Sequence, residues 1–220
     1  MEKILECLPF MLEGSIVTIE IFVLTLVLAL PLGLPIALGS NSKFKPLSLL
    51  CKAYVWVFRG TPLLLQMFFV YFFFPMKLNI MISAFTAVII AFVLNYAAYF
   101  SEIYRGGINS IDRGQYEAAH VLGLSKSQTM KDIILPQTMK ATLPPIVNEA
   151  IILVKDTALA SSLGTVLELM KATNSAVNRM TDLTPFFAAA AIYLVMTFVL
   201  TLIAGKLEKY FARYDAKEEW

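Results

Sequence analysis

The chain is short of charge. Only 15% of its 220 residues are Asp, Glu, Lys or Arg, against about 25% in an ordinary soluble domain. A formal net charge of +2 gives no footing for nucleic acid. Histidine is almost absent. The single His120 and the two cysteines, Cys7 and Cys51, show no metal-ligand spacing, so no metal site is expected. There is no H-E-x-x-H motif, and one histidine offers no convincing nucleophile and base pair. Both points argue against an intramembrane enzyme. No G-x-x-x-x-G-K-[S/T] stretch occurs, so the chain has no P-loop with which to bind ATP. A positively charged N-terminal region is missing too, because Glu2, Glu6 and Glu13 outnumber Lys3. The first apolar run therefore reads as a membrane span, not as a cleaved signal peptide. No tandem or inverted repeat is visible, which weighs against a self-contained secondary transporter built from repeated halves.

What the chain does have is apolar length. Hydrophobic residues make up 58% of it, and its mean hydropathy is +0.71. This composition implies an all-α membrane protein. Five spans are expected, at about 15–38, 53–74, 80–104, 146–163 and 185–204. At ~1.5 Å per residue the first covers roughly 36 Å, enough to cross a ~30 Å hydrocarbon core with some tilt. Basic residues set the orientation. One side holds Lys43, Lys45, Lys52, Arg105, Arg113, Lys126, Lys131, Lys140, Lys206, Lys209, Arg213 and Lys217, and the other only Lys3, Lys77, Lys171 and Arg179. This bias puts the N-terminus outside and the C-terminus in the cytoplasm. Cys7 and Cys51 then lie on opposite sides of the membrane, and no internal disulfide is expected.

A polar stretch at about 105–145 interrupts the apolar runs and falls on the cytoplasmic side. Its first helical pattern runs from Gln115 and Tyr116 through Glu117, Ala118 and Ala119 to Leu122. His120 reads as a surface residue of that helix. Gly123 supplies a stop, since glycine alone takes φ > 0 without strain. Ser125, with Gln128 three residues on, makes a capping-box pattern for a second helix. That helix should end near Leu135, because Pro136 disfavours the α conformation before it. Pro144-Pro145 should close the stretch and start the fourth span.

The spacing Glu117-Ala118-Ala119, three residues, Gly123, nine residues, Ile133, one residue, Leu135-Pro136 resembles the EAA loop of ABC importer permeases. Phe58-Arg59-Gly60-Thr61-Pro62 with Gln66, the run Ala98 to Ile108, and Lys155-Asp156-Thr157-Ala158-Leu159 are similar to the polar amino-acid uptake branch. Ser101 and Ala158 stand where that branch more often has alanine and serine. The resemblance implies a type I ABC importer-like permease fold in a bacterial cytoplasmic (inner) membrane. It also implies partners: two ATPase subunits that bind ATP and Mg, a second permease copy or a homologous permease, and a solute-binding protein outside. The residues from Gln115 to Leu124, including Leu122 and Leu124, would contact the ATPase. Small Ala118 and Ala119 suit a groove, Glu117 suits a basic partner, and Gly123 fixes the angle between the helices.

Polar groups within membrane depth mark either a path for solute or a structural brace. A charge at a span centre costs roughly 2.5–3.5 kcal/mol on insertion scales and so faces a partner or water. Glu102 and Asp156 are expected in a water-filled translocation cavity, where two carboxylates suit an amino group or a cationic side chain. Lys155, beside Asp156 but about 100° away around a helix, need not face it; it reads equally as a path residue that holds the solute carboxylate, which would count against a cationic solute, or as the neutraliser of a neighbouring acid. Arg59, Asn95 and Gln66 read equally as path residues or as a snorkelling cation and interhelical hydrogen-bond partners. Tyr99 and Ser161 are placed in the same space. The expected activity is alternating-access import of a polar, and by this charge count a cationic, amino acid. An autonomous channel or ion-coupled carrier explains the buried charges equally well, but not the spaced motif.

Overall fold

The computed structural model describes residues 2–212. Arg213 and Lys217, counted in the orientation argument, lie outside them. Apolar length accounts for the first and last helices, α1 (Glu2–Ser40) and α9 (Thr184–Ala212). Between them run α2 (Lys45–Gly60), α3 (Leu63–Phe73) and α4 (Ala84–Ser110). Then come α5 (Arg113–Val121), a short α6 (Lys126–Gln128), α7 (Leu135–Asp156) and α8 (Leu169–Met180).

The centre of the bundle is α4. Its Ala84, Ala87, Ala91, Ala97 and Ala98 are all buried. Small side chains let helix backbones approach closely, which is how helices associate where the hydrophobic effect is absent. Ile21 of α1, Met67 of α3 and Leu153 of α7 close around Phe92, Tyr96 and Phe100 of α4. The tightest crossing is at Gly107, where an added Cβ would collide with the Thr142 side chain of α7. A second cluster joins Cys7 and Met11 of α1 to Leu169 and Ala176 of α8 and Ala188 and Ala189 of α9.

Several expected boundaries move, each for a local reason. The second span is not one helix. It breaks between α2 and α3 with a bend of 107°, because Pro62 holds Thr61 in an extended conformation (ψ 148°). The turn at 75–79 is a π-helical turn, Phe74–Leu78, closed by left-handed Asn79. Arg105-Gly106-Gly107 does not end α4, which runs on to Ser110. The helix after Ser125 does not stop at Pro136. A π-helical turn, Thr129–Ile134, leads into α7, and the Leu135 amide reaches back to the Met130 carbonyl. The wider turn shifts the hydrogen-bond ladder just where proline lacks a donor. Pro144 and Pro145 sit inside α7 and do not start it.

Three of the described helices are long and apolar enough to cross a membrane: Glu6–Ser40, Ala84–Ser110 and Thr184–Tyr210. The bent pair Lys45–Gly60 and Leu63–Leu78 makes a fourth crossing if it acts as one. The expected fourth span is not in this set, since α7 carries Lys140, Glu149, Lys155 and Asp156. Its α-helix ends at Asp156, and a 3-10 turn, Thr157–Leu163, continues it. The stretch between the expected fourth and fifth spans contains α8, capped by a fully buried Glu168 that accepts from the Met170 and Lys171 amides at 2.7 and 2.6 Å.

Candidate functional site

The break between α2 and α3 opens a cavity of about 580 Å³ against α4 and α7. Arg59, Gly60, Thr61, Pro62 and Leu63 form one wall, and Asn95, Tyr96 and Tyr99 of α4 form the back. Glu149, Ile152 and Asp156 of α7, with Leu159, close the other side. The α7 positions fall at i, i+3 and i+7, the repeat that lines one face of a helix. Two carboxylates and one guanidinium thus share a half-buried space.

Two of these charges, Asp156 and Arg59, are oriented by neighbours. The Tyr96 hydroxyl donates to Asp156 Oδ2 at 2.8 Å, joining α4 to α7. The Arg59 guanidinium lies over the Tyr99 ring, 5.1 Å from its centroid, a favourable contact of cation and ring face. Arg59 also approaches Glu102 at 3.6 Å. The sequence reading placed Arg59, Asn95, Tyr99 and Asp156 in one space, and the structure brings them together. It adds Glu149 and Tyr96, which that reading missed. The i, i+7 spacing of the two acids was the available signal.

Four expected path residues are not among those lining the cavity. Arg105 Nε and Nη2 both donate to the Glu102 carboxylate at 2.8 Å, one turn along α4. Lys155 projects the other way, into a groove with Met170, Phe186 and Tyr193, because adjacent helical residues diverge by about 100°. The Ser161 hydroxyl donates to the Ala158 carbonyl at 2.7 Å, inside its own 3-10 turn. Gln66 stands behind the Arg59 wall, bonded to Phe58, Thr61 and Asn95.

The second feature is the hairpin of α5 and the helix after it. Asp112 caps α5 by accepting from the Gly114 amide at 2.6 Å. At the other end the Leu124 amide reaches Ala119 O and the Gly123 amide reaches His120 O, both at 3.0 Å, with Gly123 at φ +75°. This is a Schellman stop, in which a left-handed residue lets two amides turn back onto the last carbonyls. Ser125 and Gln128 form the reciprocal capping box, at 3.3 and 2.9 Å. Gln137 Nε2 donates to Gln115 Oε1 at 3.3 Å and ties the two arms.

Glu117, Ala118, His120, Leu122 and Gly123 are exposed, and Tyr116 and Leu124 are half-buried. Ala119 is turned inward and buried, so it faces its own chain and offers nothing to an outside groove. Val121 is 85% and Leu122 77% exposed. The hairpin therefore presents an apolar tip with an acid and a histidine behind it.

A polar cavity among long apolar helices, with a rigid hairpin at one end, defines a membrane permease component. The chain belongs to the family of binding-protein-dependent transport system inner membrane components, which it matches over residues 29–213. It is accordingly a multi-pass inner-membrane transport subunit and not an enzyme. The arginine transport system permease protein ArtQ of Bacillus subtilis (strain 168) is 41% identical over 92% of each chain. A putative glutamine transport system permease protein GlnP of Rickettsia felis is 38% identical over 91% of this chain and 92% of that one. The L-cystine transport system permease protein TcyB of Bacillus subtilis (strain 168) is 37% identical over 95% and 89%. Among solved structures, an amino acid ABC transporter with histidines superposes with a TM-score of 0.87 at 34% identity, covering 94% of this chain and 96% of that one. Inward-facing MetNI methionine ABC transporter superposes at 0.74 with 15% identity, covering 93% and 95%, which speaks for the fold alone.

Proposed function

We propose that the chain conducts an amino acid, preferentially a cationic one, through an ATP-driven importer. The observation that carries this is the placement of Arg59, Glu149 and Asp156 around one cavity. An α-amino acid carries one carboxylate and one ammonium, and a cationic one carries a second positive group. Arg59, the one Lys or Arg among the lining residues, suits the carboxylate. The two α7 acids suit the ammonium and the side-chain cation, with Asp156 held in place by the Tyr96 hydroxyl. Tyr99 offers an aromatic face beside them. The relatives include an arginine permease beside permeases named for glutamine and L-cystine, and the charge pattern is what favours the first.

In this reading the chain crosses the membrane five times. The crossings are α1, the bent α2–α3 pair, α4, α7 with its 3-10 extension, and α9. The N-terminus lies outside and the hairpin in the cytoplasm, as the basic residues require. Val121, Leu122, Glu117 and His120 dock on an ATPase subunit. That partner, present twice, binds ATP and Mg. A second permease, identical or homologous, completes the path, and a solute-binding protein delivers solute from outside. Movement of the hairpin passes through α7 directly to Glu149 and Asp156, alternating access to the cavity.

Competition among amino acids in proteoliposomes holding the permease and its ATPase tests the proposal. L-arginine and L-lysine should compete best, and Glu149→Gln or Asp156→Asn should weaken them more than L-glutamine. Equal loss for neutral and cationic amino acids would remove the cationic preference. ATP-independent flux through the chain alone would favour a channel or ion-coupled carrier instead.

A further inference from the structure

We infer that Gln66, which does not line the cavity, is a positioning residue for the solute site and works with Asn95 to hold the Arg59 wall. The inference rests on the reading of the cavity as an amino-acid site. It begins with the bend of 107° between α2 and α3. A helix that stops leaves its last carbonyls without intrahelical partners, and within a membrane each unsatisfied group costs several kcal/mol. The two N–H groups of Gln66 Nε2 are shared among Phe58 O at 2.9 Å, Thr61 Oγ1 at 2.7 Å and Thr61 O at 3.1 Å. Asn95 Nδ2 donates to the same Phe58 carbonyl at 3.0 Å and to Gln66 Oε1 at 3.0 Å.

The placement of these bonds matters. Phe58 and Thr61 flank Arg59 and Gly60, so the backbone is clamped on both sides of the guanidinium-bearing residue. Asn95 is 5% exposed on the most buried helix, which makes it a fixed anchor. Gly60, beside Arg59, has no packing neighbour among the described residues, since a Cβ placed there would meet nothing within 4 Å. Arg59 itself is exposed. Hydrogen bonds from the Gln66–Asn95 amide pair therefore fix the backbone that carries Arg59, while Tyr99 and Glu102 orient its guanidinium. Glutamine is suited because its amide donates to α2 and its carbonyl accepts from α4. Methionine has similar size and neither capacity.

The test measures uptake by the full complex of permease and ATPase in proteoliposomes, with L-arginine, L-glutamine and L-cystine as probes. For whichever probe the wild type carries, Gln66→Met should raise the half-saturating concentration about tenfold. Asn95→Leu should do likewise, and the double variant should be no worse than the worse single one, as expected of one shared element. A purely packing role predicts less assembled complex with unchanged half-saturation, and that result, or additive effects, would overturn the inference. A wild type that prefers L-glutamine or L-cystine removes the cationic reading while leaving this comparison intact. If no probe is carried, a spin label on Gly60→Cys, in a chain with its other cysteines replaced by serine, decides. Gln66→Met should increase its mobility, and an unchanged spectrum would overturn the inference.

Discussion

The hairpin and the cavity are built in opposite ways. The bonds at the ends and turn of the hairpin are local, Asp112 to Gly114, Leu124 to Ala119 and Ser125 to Gln128, with Gln137 to Gln115 tying its arms. The cavity is held by bonds between residues far apart in sequence, 37 positions from Asn95 to Phe58 and 60 from Tyr96 to Asp156. A local device keeps its shape by itself and can be presented to something outside. A non-local one changes shape whenever its helices shift, which is what a gated site requires. Substitutions in the cavity should therefore alter the half-saturating solute concentration. Those in the hairpin should alter the coupling of uptake to ATP hydrolysis.

The largest expected effect is in the cavity. Glu149→Gln with Asp156→Asn should raise the half-saturating concentration of L-arginine about a hundredfold, as loss of two charge-assisted hydrogen bonds implies, and change that of L-glutamine far less. Next comes the crossing that joins the two regions. Gly107→Val should drive a side chain into Thr142 and Thr138 and destabilise the chain by about 1–3 kcal/mol, read as a lower melting temperature in detergent. In the hairpin, Gly123→Leu forces a bulky residue to φ +75° at a cost of about 1–2 kcal/mol. It should uncouple uptake from ATP hydrolysis while half-saturation stays at the wild-type value, and a shift in half-saturation would break the separation of the two regions. Ser125→Ala should weaken the cap by about 1 kcal/mol, seen as faster amide exchange at Gln128 and Thr129. Smallest is Glu102→Gln. That carboxylate is engaged by Arg105 outside the cavity, and half-saturation should move by less than about threefold.

The same contrast decides what could be read from sequence. Gly123, Ser125 and Gln128 act on neighbours, so their spacing alone describes the turn. Asp156, Asn95, Tyr99 and Arg59 were visible as polar groups at membrane depth. Glu149 is not visible in this way, because Pro144-Pro145 reads as the boundary of a span beginning at Ile146, which leaves the acid near its end. Inside a continuous α7 it sits two turns before Asp156 on the same face. Gln66 and Glu102 look alike in sequence to path residues, since an amide or acid near a span centre serves a brace as well as a solute. The helix break, through the carbonyls it frees, marks Gln66 as a brace, and the Arg105 pair marks Glu102. Pro62 signalled that break, but the apolar run across it reads as one span.

One consequence follows from α7, which starts at the outgoing arm of the hairpin and ends at Asp156. The outgoing arm of the hairpin and the acids that line the cavity are thus carried by one helix, joined through the Thr129–Ile134 turn and the Gly123 stop to the exposed tip on α5. A perturbation at either end is then felt as a change in free energy at the other, and thermodynamic linkage makes that exchange symmetric. Whatever binds the hairpin more tightly in one arrangement of α7 must find its own affinity altered by solute, by the same factor with which it alters the affinity for solute. The helix in this sense reports the occupancy of the cavity outward as faithfully as it carries motion inward.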